Sequence, residues 1–422
     1  MTTTHHTFDQ SSMRKLILLL IDILILVPVW AQATYHVTDY GAKGDGTTDD
    51  APALQRAIDA CSADGGGRVL LSRGKTFLSG PLQLKSGVEL YLDAGATLLA
   101  NPDENVYRKS AFGSNQGEGM LWLWAKDAHD IRVCGRGTID GNGYPYWQEF
   151  WIRRLWNPDC TNKDAQRPRL VYISNSSRVT VQDVHLMNSP VWTNHLYNCD
   201  HVRYLDCFIF APTQGVKAPS SDAIDIDKCH DILVRGCYMN VNDDAVVLKG
   251  GKGTYADTMA VNGPVSRVLV ENCRYGTVHS MLTLGSESLH DTNVILRNCT
   301  SENADRVLWL KMRPDTPQRY EQIRVEGITG RARSCLVIRP WTQFFQPARR
   351  RNMPKSSCRN VTLKNIHMDC DNFFDVGTSD KYSLSDFVFE DVHVTDKAGN
   401  FSSTLIPGTV VRDVVINGDA KK

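Results

Sequence analysis

The sequence predicts an all-β chain wound as a right-handed parallel β-helix, with a short N-terminal capping helix, and three observations carry that prediction. A short apolar strand recurs as Arg178-Val179-Thr180-Val181, His201-Val202-Arg203-Tyr204, Asp231-Ile232-Leu233-Val234 and Arg267-Val268-Leu269-Val270. It continues as Asn293-Val294-Ile295-Leu296, Gln322-Ile323-Arg324-Val325, Asn360-Val361-Thr362-Leu363 and Asp386-Phe387-Val388-Phe389, the eight copies standing 23 to 38 residues apart. Five positions after each first apolar residue stand Val184, Cys207, Cys237, Cys273, Cys299, Ile328, Ile366 and Val392, a single apolar column. No amphipathic helix separates the copies, and that pattern is the signature of stacked β-coils.

Taken in order, Met1 to Ser12 are polar, and Met13 is followed by Arg14-Lys15 and an apolar run from Leu16 to Trp30. That run is too short to span a bilayer. With Ala31-Gln32-Ala33 behind it, it reads as a secretory signal peptide over 1–33, cleaved before Thr34, the first twelve residues then being an upstream start assigned too early. A retained lipid-facing anchor is the alternative. Export predicts a secreted or periplasmic protein with no membrane insertion after cleavage. The remainder, 34–422, carries no linker-like run that would divide it, yet it is longer than one compact core usually holds; a single solenoid resolves that tension.

Asp49 to Ala63 places Leu54, Ala57, Ile58 and Cys61 at helical spacing, and Gly65-Gly66-Gly67 follows. This is the predicted cap, which covers the open edge of the first coil. The 47 basic and 47 acidic residues balance to zero net charge, so nothing favours nucleic acid or an anionic membrane as partner. Twelve cysteines in an exported chain suggest disulfides. Their exchange with valine and isoleucine in one column suggests packing instead, with a bridge involving Cys160 left open.

A second column comprises Ala223–Asp227, Ala245–Lys249, Met281–Gly285, Val307–Lys311 and Cys335–Arg339. Alternation at period two turns Ile224, Ile226, Val246, Leu248, Leu282, Leu284, Leu308, Leu310, Leu336 and Ile338 inward. It turns Asp225, Asp227, Val247, Lys249, Trp309, Lys311 and Arg339 outward. Asp222, Asp243-Asp244 and His279-Ser280 lead the strands in. Three carboxylates, a histidine and three cations thus recur at fixed phase on consecutive coils.

Two unit charges about 5 Å apart repel by roughly 3 kcal/mol at an effective dielectric near 20, enough to raise one acid by about two pKa units. Three such acids hold one proton and two bases at mildly acidic pH, which is what glycoside hydrolysis with inversion requires. Calcium is the competing reading of an oxygen-rich cluster. Lys249 and His279 beside the acids argue against a metal.

Over Tyr40-Gly41-Ala42-Lys43-Gly44-Asp45-Gly46-Thr47-Thr48-Asp49-Asp50, Gly137-Thr138-Ile139-Asp140-Gly141-Asn142-Gly143, Ser189-Pro190-Val191-Trp192 and the repeats, the chain resembles the polygalacturonases, the family 28 glycoside hydrolases. That resemblance implies that no cofactor is needed and that Asp243 protonates the leaving oxygen. Asp222 and Asp244 would activate the water, His279 would hold Asp243 in its working ionisation state, and Lys311 would bind substrate. It departs from the family pattern at Ser220-Ser221, Val278-His279-Ser280 and Trp309-Leu310-Lys311. Trp309 stands where the family has an arginine that helps hold the substrate carboxylate, and an indole offers a flat face to a sugar instead.

One subsite next to the cleaved bond is therefore not expected to take galacturonate, which suits a rhamnose-containing pectin backbone or a branched pectic fragment, with Arg339, Arg313 and Lys249 left to bind galacturonate and Asp225 and Trp341 lining the site. The expected enzyme is a monomeric, exo-acting galacturonidase on pectic oligosaccharide or polysaccharide. The aromatic stretches Tyr144–Trp156 and Trp341–Phe345 read as loops walling the groove or as residues buried beneath loops. His195 either reaches the cleft or is structural. A calcium-dependent pectate lyase and a non-catalytic sugar-binding β-helix are the rival classes.

Overall fold

The computed structural model describes residues 33–110, 112–114, 117–161, 167–343, 345 and 350–421. The predicted leader, Ala33 apart, lies outside them, and so does Phe344. No helix among the described residues is long and apolar enough to cross a membrane.

From Thr34 onward the strands stack coil on coil, nearly every pair parallel. The repeated strand pairs in register as Val179, Val202, Ile232, Val268, Val294, Ile323, Val361 and Phe387. All eight are buried, so the column read from the sequence is one rung-by-rung face of the core. The cysteine column is equally interior, with Cys299 paired to Ile328, Ile328 to Ile366 and Ile366 to Val392. All twelve cysteines, Cys160 included, are free and buried, behaving as small apolar side chains.

The corners follow from backbone chemistry. The residue just before each anchor, among them Asp231, Asn293, Asn360 and Asp386, is left-handed with φ between 54° and 61°. A second left-handed corner recurs four positions after the anchor, at Asp183, Asp206, Asn272, Asn298, Asn365 and Asp391, and Asp413 continues it one coil on. Asn and Asp tolerate this region because their short polar side chains bond locally. At Gly236 in the same corner column an added Cβ would sit 2.0 Å from Asp206 Oδ1, so a larger residue there would displace that carboxylate.

Helix α1, Ala51–Ala63, carries proline in its first turn and buries Ala53, Leu54, Ala57, Ile58 and Cys61 against the first coil. Helix α2, Tyr144–Trp156, corrects the expectation of a loop. Tyr146, Trp147 and Phe150 line its buried face at helical spacing, and the Trp147 indole donates to Ser189 O at 3.1 Å. These rings are therefore packing rather than groove wall; Trp156 at the end of the helix is 87% exposed.

The second column forms β1 (Pro168–Ser174), β2 (Asn194–Tyr197), β3 (Ile224–Asp227), β4 (Asp244–Lys249), β5 (Ser280–Leu284) and the long strands β6 (His290–Met312) and β7 (Arg319–Pro340). Ile224, Val246, Leu282, Leu308 and Leu336 pair in series. The apolar side of the alternation is as read. The outer side is not solvent: Asp225, Asp227 and Val247 are all 0% exposed, because side chains from neighbouring coils close over them.

Candidate active site

Two loops deliver the acids, and one hydroxyl ties them together. Ser221 Oγ accepts from Asn242 N at 2.9 Å and donates to Ala218 O at 3.1 Å. Backbone bonds from Thr193 N to Asp222 O, Ala223 N to Asp244 O and His279 N to Asp243 O, 2.8 to 3.0 Å long, hold the leading residues of β2 to β5 in step. Behind them Arg167, buried at the entry to β1, donates to Pro190 O at 2.8 Å and Pro219 O at 2.7 Å. The Trp151 indole of α2 donates to Lys217 O at 2.7 Å, so helix and arginine brace the loop that carries Asp222.

The result is a triangle: Asp222, Asp243 and Asp244 each present a carboxylate oxygen within 4.8 Å of the others. His279 Nδ1 lies 3.4 Å from Asp243 Oδ1, and Lys311 Nζ donates to Asp244 Oδ2 at 2.8 Å. Asp243 is the most open of the three acids, its side chain 26% exposed. The oxygens also have the spacing of a divalent-cation site. With Lys311 and a protonated His279 already set against two of the acids, a further cation meets Coulomb repulsion there.

Burial, with Asp243 and Asp225 adding to it, pushes the Asp222 carboxyl well above the carboxylate range. Desolvation acts upward on Asp243 too, but His279 and Lys311 outweigh it and hold that carboxyl below its ordinary value. His279 is raised in turn: burial opposes its charge, and the carboxylates of Asp243 and Asp244 more than restore it. Burial thus raises the proton affinity of Asp222, while His279 and Lys311 lower that of Asp243. The three titrate as one coupled set.

Several residues expected to grip substrate sit elsewhere. Asp225 is wholly buried, its carboxyl pushed up to about 8 by burial against the pull of Lys249 and Arg169. Lys249, 6% exposed at the side chain, lies 3.5 Å from Asp225 and 3.6 Å from Glu287, so it is an internal counter-ion. Lys249 and Arg169 both approach the Trp192 ring, at 4.6 and 4.8 Å. Arg313 is fully buried and forked onto Asp315 at 2.7 and 2.8 Å, pinning the turn after β6. Arg339 pairs with Asp375 one coil beyond Lys311. His195 is structural: it is 0% exposed, 3.5 Å from Asp227, edge-on to Tyr172 and Trp192, and held well below the ordinary histidine value by burial.

Trp309 and Trp341 do come together, edge to face at 5.2 Å, with Lys311 Nζ 4.0 Å from the first ring and 4.8 Å from the second. Arg306 covers Trp309 at 3.8 Å and donates to His279 O at 3.1 Å. Arg306, Arg167 and Glu287 are the neighbours that sequence reasoning missed. Arg306 falls ahead of the five-residue strand window, and Arg167 and Glu287 lie in connecting segments where no period marks them.

A coil that aligns three acids, a histidine and a lysine beside paired indoles defines an acid–base hydrolase site on a parallel β-helix. The chain belongs to the glycosyl hydrolases of family 28, whose family model matches residues 61–409. It is 30% identical over 188 residues to a probable exopolygalacturonase B of Emericella nidulans, covering 43% of this chain and 41% of that protein. It is 31% identical over 267 residues to an endo-polygalacturonase of Pectobacterium parmentieri, covering 60% and 61%. In both cases the chain spans less than two thirds of its relative. Its fold matches a solved exopolygalacturonase of Thermotoga maritima with a TM-score of 0.70 at 21% identity, over 96% of each chain.

Proposed function

We propose that this protein hydrolyses α-galacturonosyl linkages in pectic polysaccharides, acting from chain ends on (rhamno)galacturonan fragments and inverting the anomeric centre. The observation that carries the reading is the triangle of Asp222, Asp243 and Asp244 with His279 and Lys311 against it. Asp243, the acid open to the cleft, protonates the leaving oxygen; Asp222 and Asp244 position and deprotonate the water. A uronate docked on His279 and Lys311 neutralises the two cations that depress Asp243. With their oxygens within 4.8 Å of one another, the three carboxyls then redistribute protons as one set.

The Trp309–Trp341 pair receives the apolar face of a non-acidic sugar, which supports rhamnose beside the cleaved bond. The named relatives include both exo- and endo-polygalacturonases, so the end-on mode rests on the substrate experiment. The leader reading adds export, checked by N-terminal sequencing of the mature chain for a start at Thr34.

The deciding experiment follows defined homogalacturonan and rhamnogalacturonan oligosaccharides by NMR. Monogalacturonate released with inverted configuration is expected, at a higher rate from rhamnogalacturonan. The carboxylate oxygens are closer than the roughly 6.5–9.5 Å usual for inverting pairs, so the anomer itself is the informative readout. A retained anomer, or a strong preference for homogalacturonan, overturns that part of the reading. Unsaturated product abolished by chelator would make the protein a lyase.

A further inference from the structure

The C-terminal coils carry a second convergence of ligating side chains, remote in sequence from the acids. His367 and His393 occupy the same position on neighbouring coils and pair in the ladder. Two residues before each lies a left-handed corner, at Asn365 and Asp391, and Asp413 holds that corner one coil on. The backbone therefore sets the spacing of these groups. His367 Nε2 lies 3.3 Å from Asp391 Oδ1, and His393 Nε2 lies 3.4 Å from the same oxygen. The rings stand 5.2 Å apart, and Asp413 Oδ2 is 3.7 Å from His393 Nε2.

These separations suit a metal. A tetrahedral ion with ligand bonds of about 2.0–2.1 Å has its ligand atoms roughly 3.4 Å apart. Simple ion pairing accounts less well for the arrangement, since two imidazolium rings brought to one carboxylate oxygen repel each other. Above the ordinary histidine range imidazoles carry lone pairs, and two of them with a carboxylate make an N,N,O donor set favoured by zinc, nickel and copper. The histidines also border a surface depression of about 490 Å³, so an ion reaches them from solvent.

We propose that His367, Asp391 and His393 form a surface binding site for one divalent transition-metal ion, with Asp413 in reach as a fourth ligand. The site shares no residue with the acid triangle and does not depend on the hydrolytic reading.

The test is calorimetric titration of the full chain, expressed without a polyhistidine tag, with zinc chloride and separately nickel chloride at pH 7.5. One equivalent is expected to bind with a dissociation constant on the order of micromolar. Affinity should fall at least tenfold in His367→Gln, His393→Gln and Asp391→Asn. Copper bound in place of zinc should show two nitrogen ligands by electron paramagnetic resonance. Pectic hydrolysis should be unchanged in the three variants. Failure to saturate, binding that survives both histidine variants, or binding lost in Asp243→Asn would each overturn the assignment, the last by placing the ion at the acid triangle.

Discussion

Lys311 Nζ donates a 2.8 Å hydrogen bond to Asp244 Oδ2 from 67 positions further along the chain, and both side chains are almost fully withdrawn from water. Stacked coils convert that sequence distance into a cross-strand contact. A buried pair of this kind is costly to break from one side, because the partner is left charged and desolvated. Lys311→Met should therefore destabilise the fold by about 3–5 kcal/mol in urea titrations. Lys311→Arg should recover most of that loss without recovering kcat, since a planar fork does not reproduce the single ammonium contact.

Asp243→Asn removes the proton carrier while keeping shape. Turnover should fall by about 10²–10⁴-fold with KM and thermal midpoint unchanged, read from initial rates and circular dichroism.

His279 holds Asp243 low, and Asp243 with Asp244 holds His279 high. Taking away the imidazolium leaves the coupled acids with greater proton affinity. Both limbs of the kcat/KM profile should move to higher pH by about one unit in His279→Asn. Limbs that stay in place would exclude an electrostatic role for the histidine.

Asp225 has a native carboxyl pushed up to about 8, against about 3.9 in the unfolded chain. Between those values the native state binds a proton that the unfolded state does not, so stability declines as pH rises through the window. Urea unfolding should show the wild type more stable near pH 5 than near pH 8. Asp225→Asn should flatten that slope and gain relative to wild type at the higher pH.

Trp309→Arg restores a cation at the outward position on β6, next to Lys311. Relative turnover should move toward homogalacturonan oligosaccharides by about tenfold, as a bidentate arginine contact with a uronate would do. An unchanged ratio would remove Trp309 from the specificity argument.

Period and column were legible without coordinates. Val179 to Phe387 and Ile224 to Leu336 had to stack because an apolar face of period two, repeated eight times in the first column and five in the second, has no other burial. The same phase set Asp222 and Asp244 on adjacent rungs. Helix α2 does not stand out against strand phase, although Tyr146, Trp147 and Phe150 lie at helical spacing. Arg313 and Lys249 looked like free cations because alternation says which side of the coil a residue takes and nothing about what lies over it.

The sequence by itself thus determined the coil, its core and the stacking of the acids, all consequences of local alternation and a fixed repeat. Only the tertiary structure decided which charges face the cleft and which are spent on one another. Lys249 against Glu287 and Arg313 against Asp315 are settled by the packing of separate coils and turns and by the water each contact excludes. That exclusion, not the residue types, raises the Asp222 carboxyl above the ordinary carboxylate range.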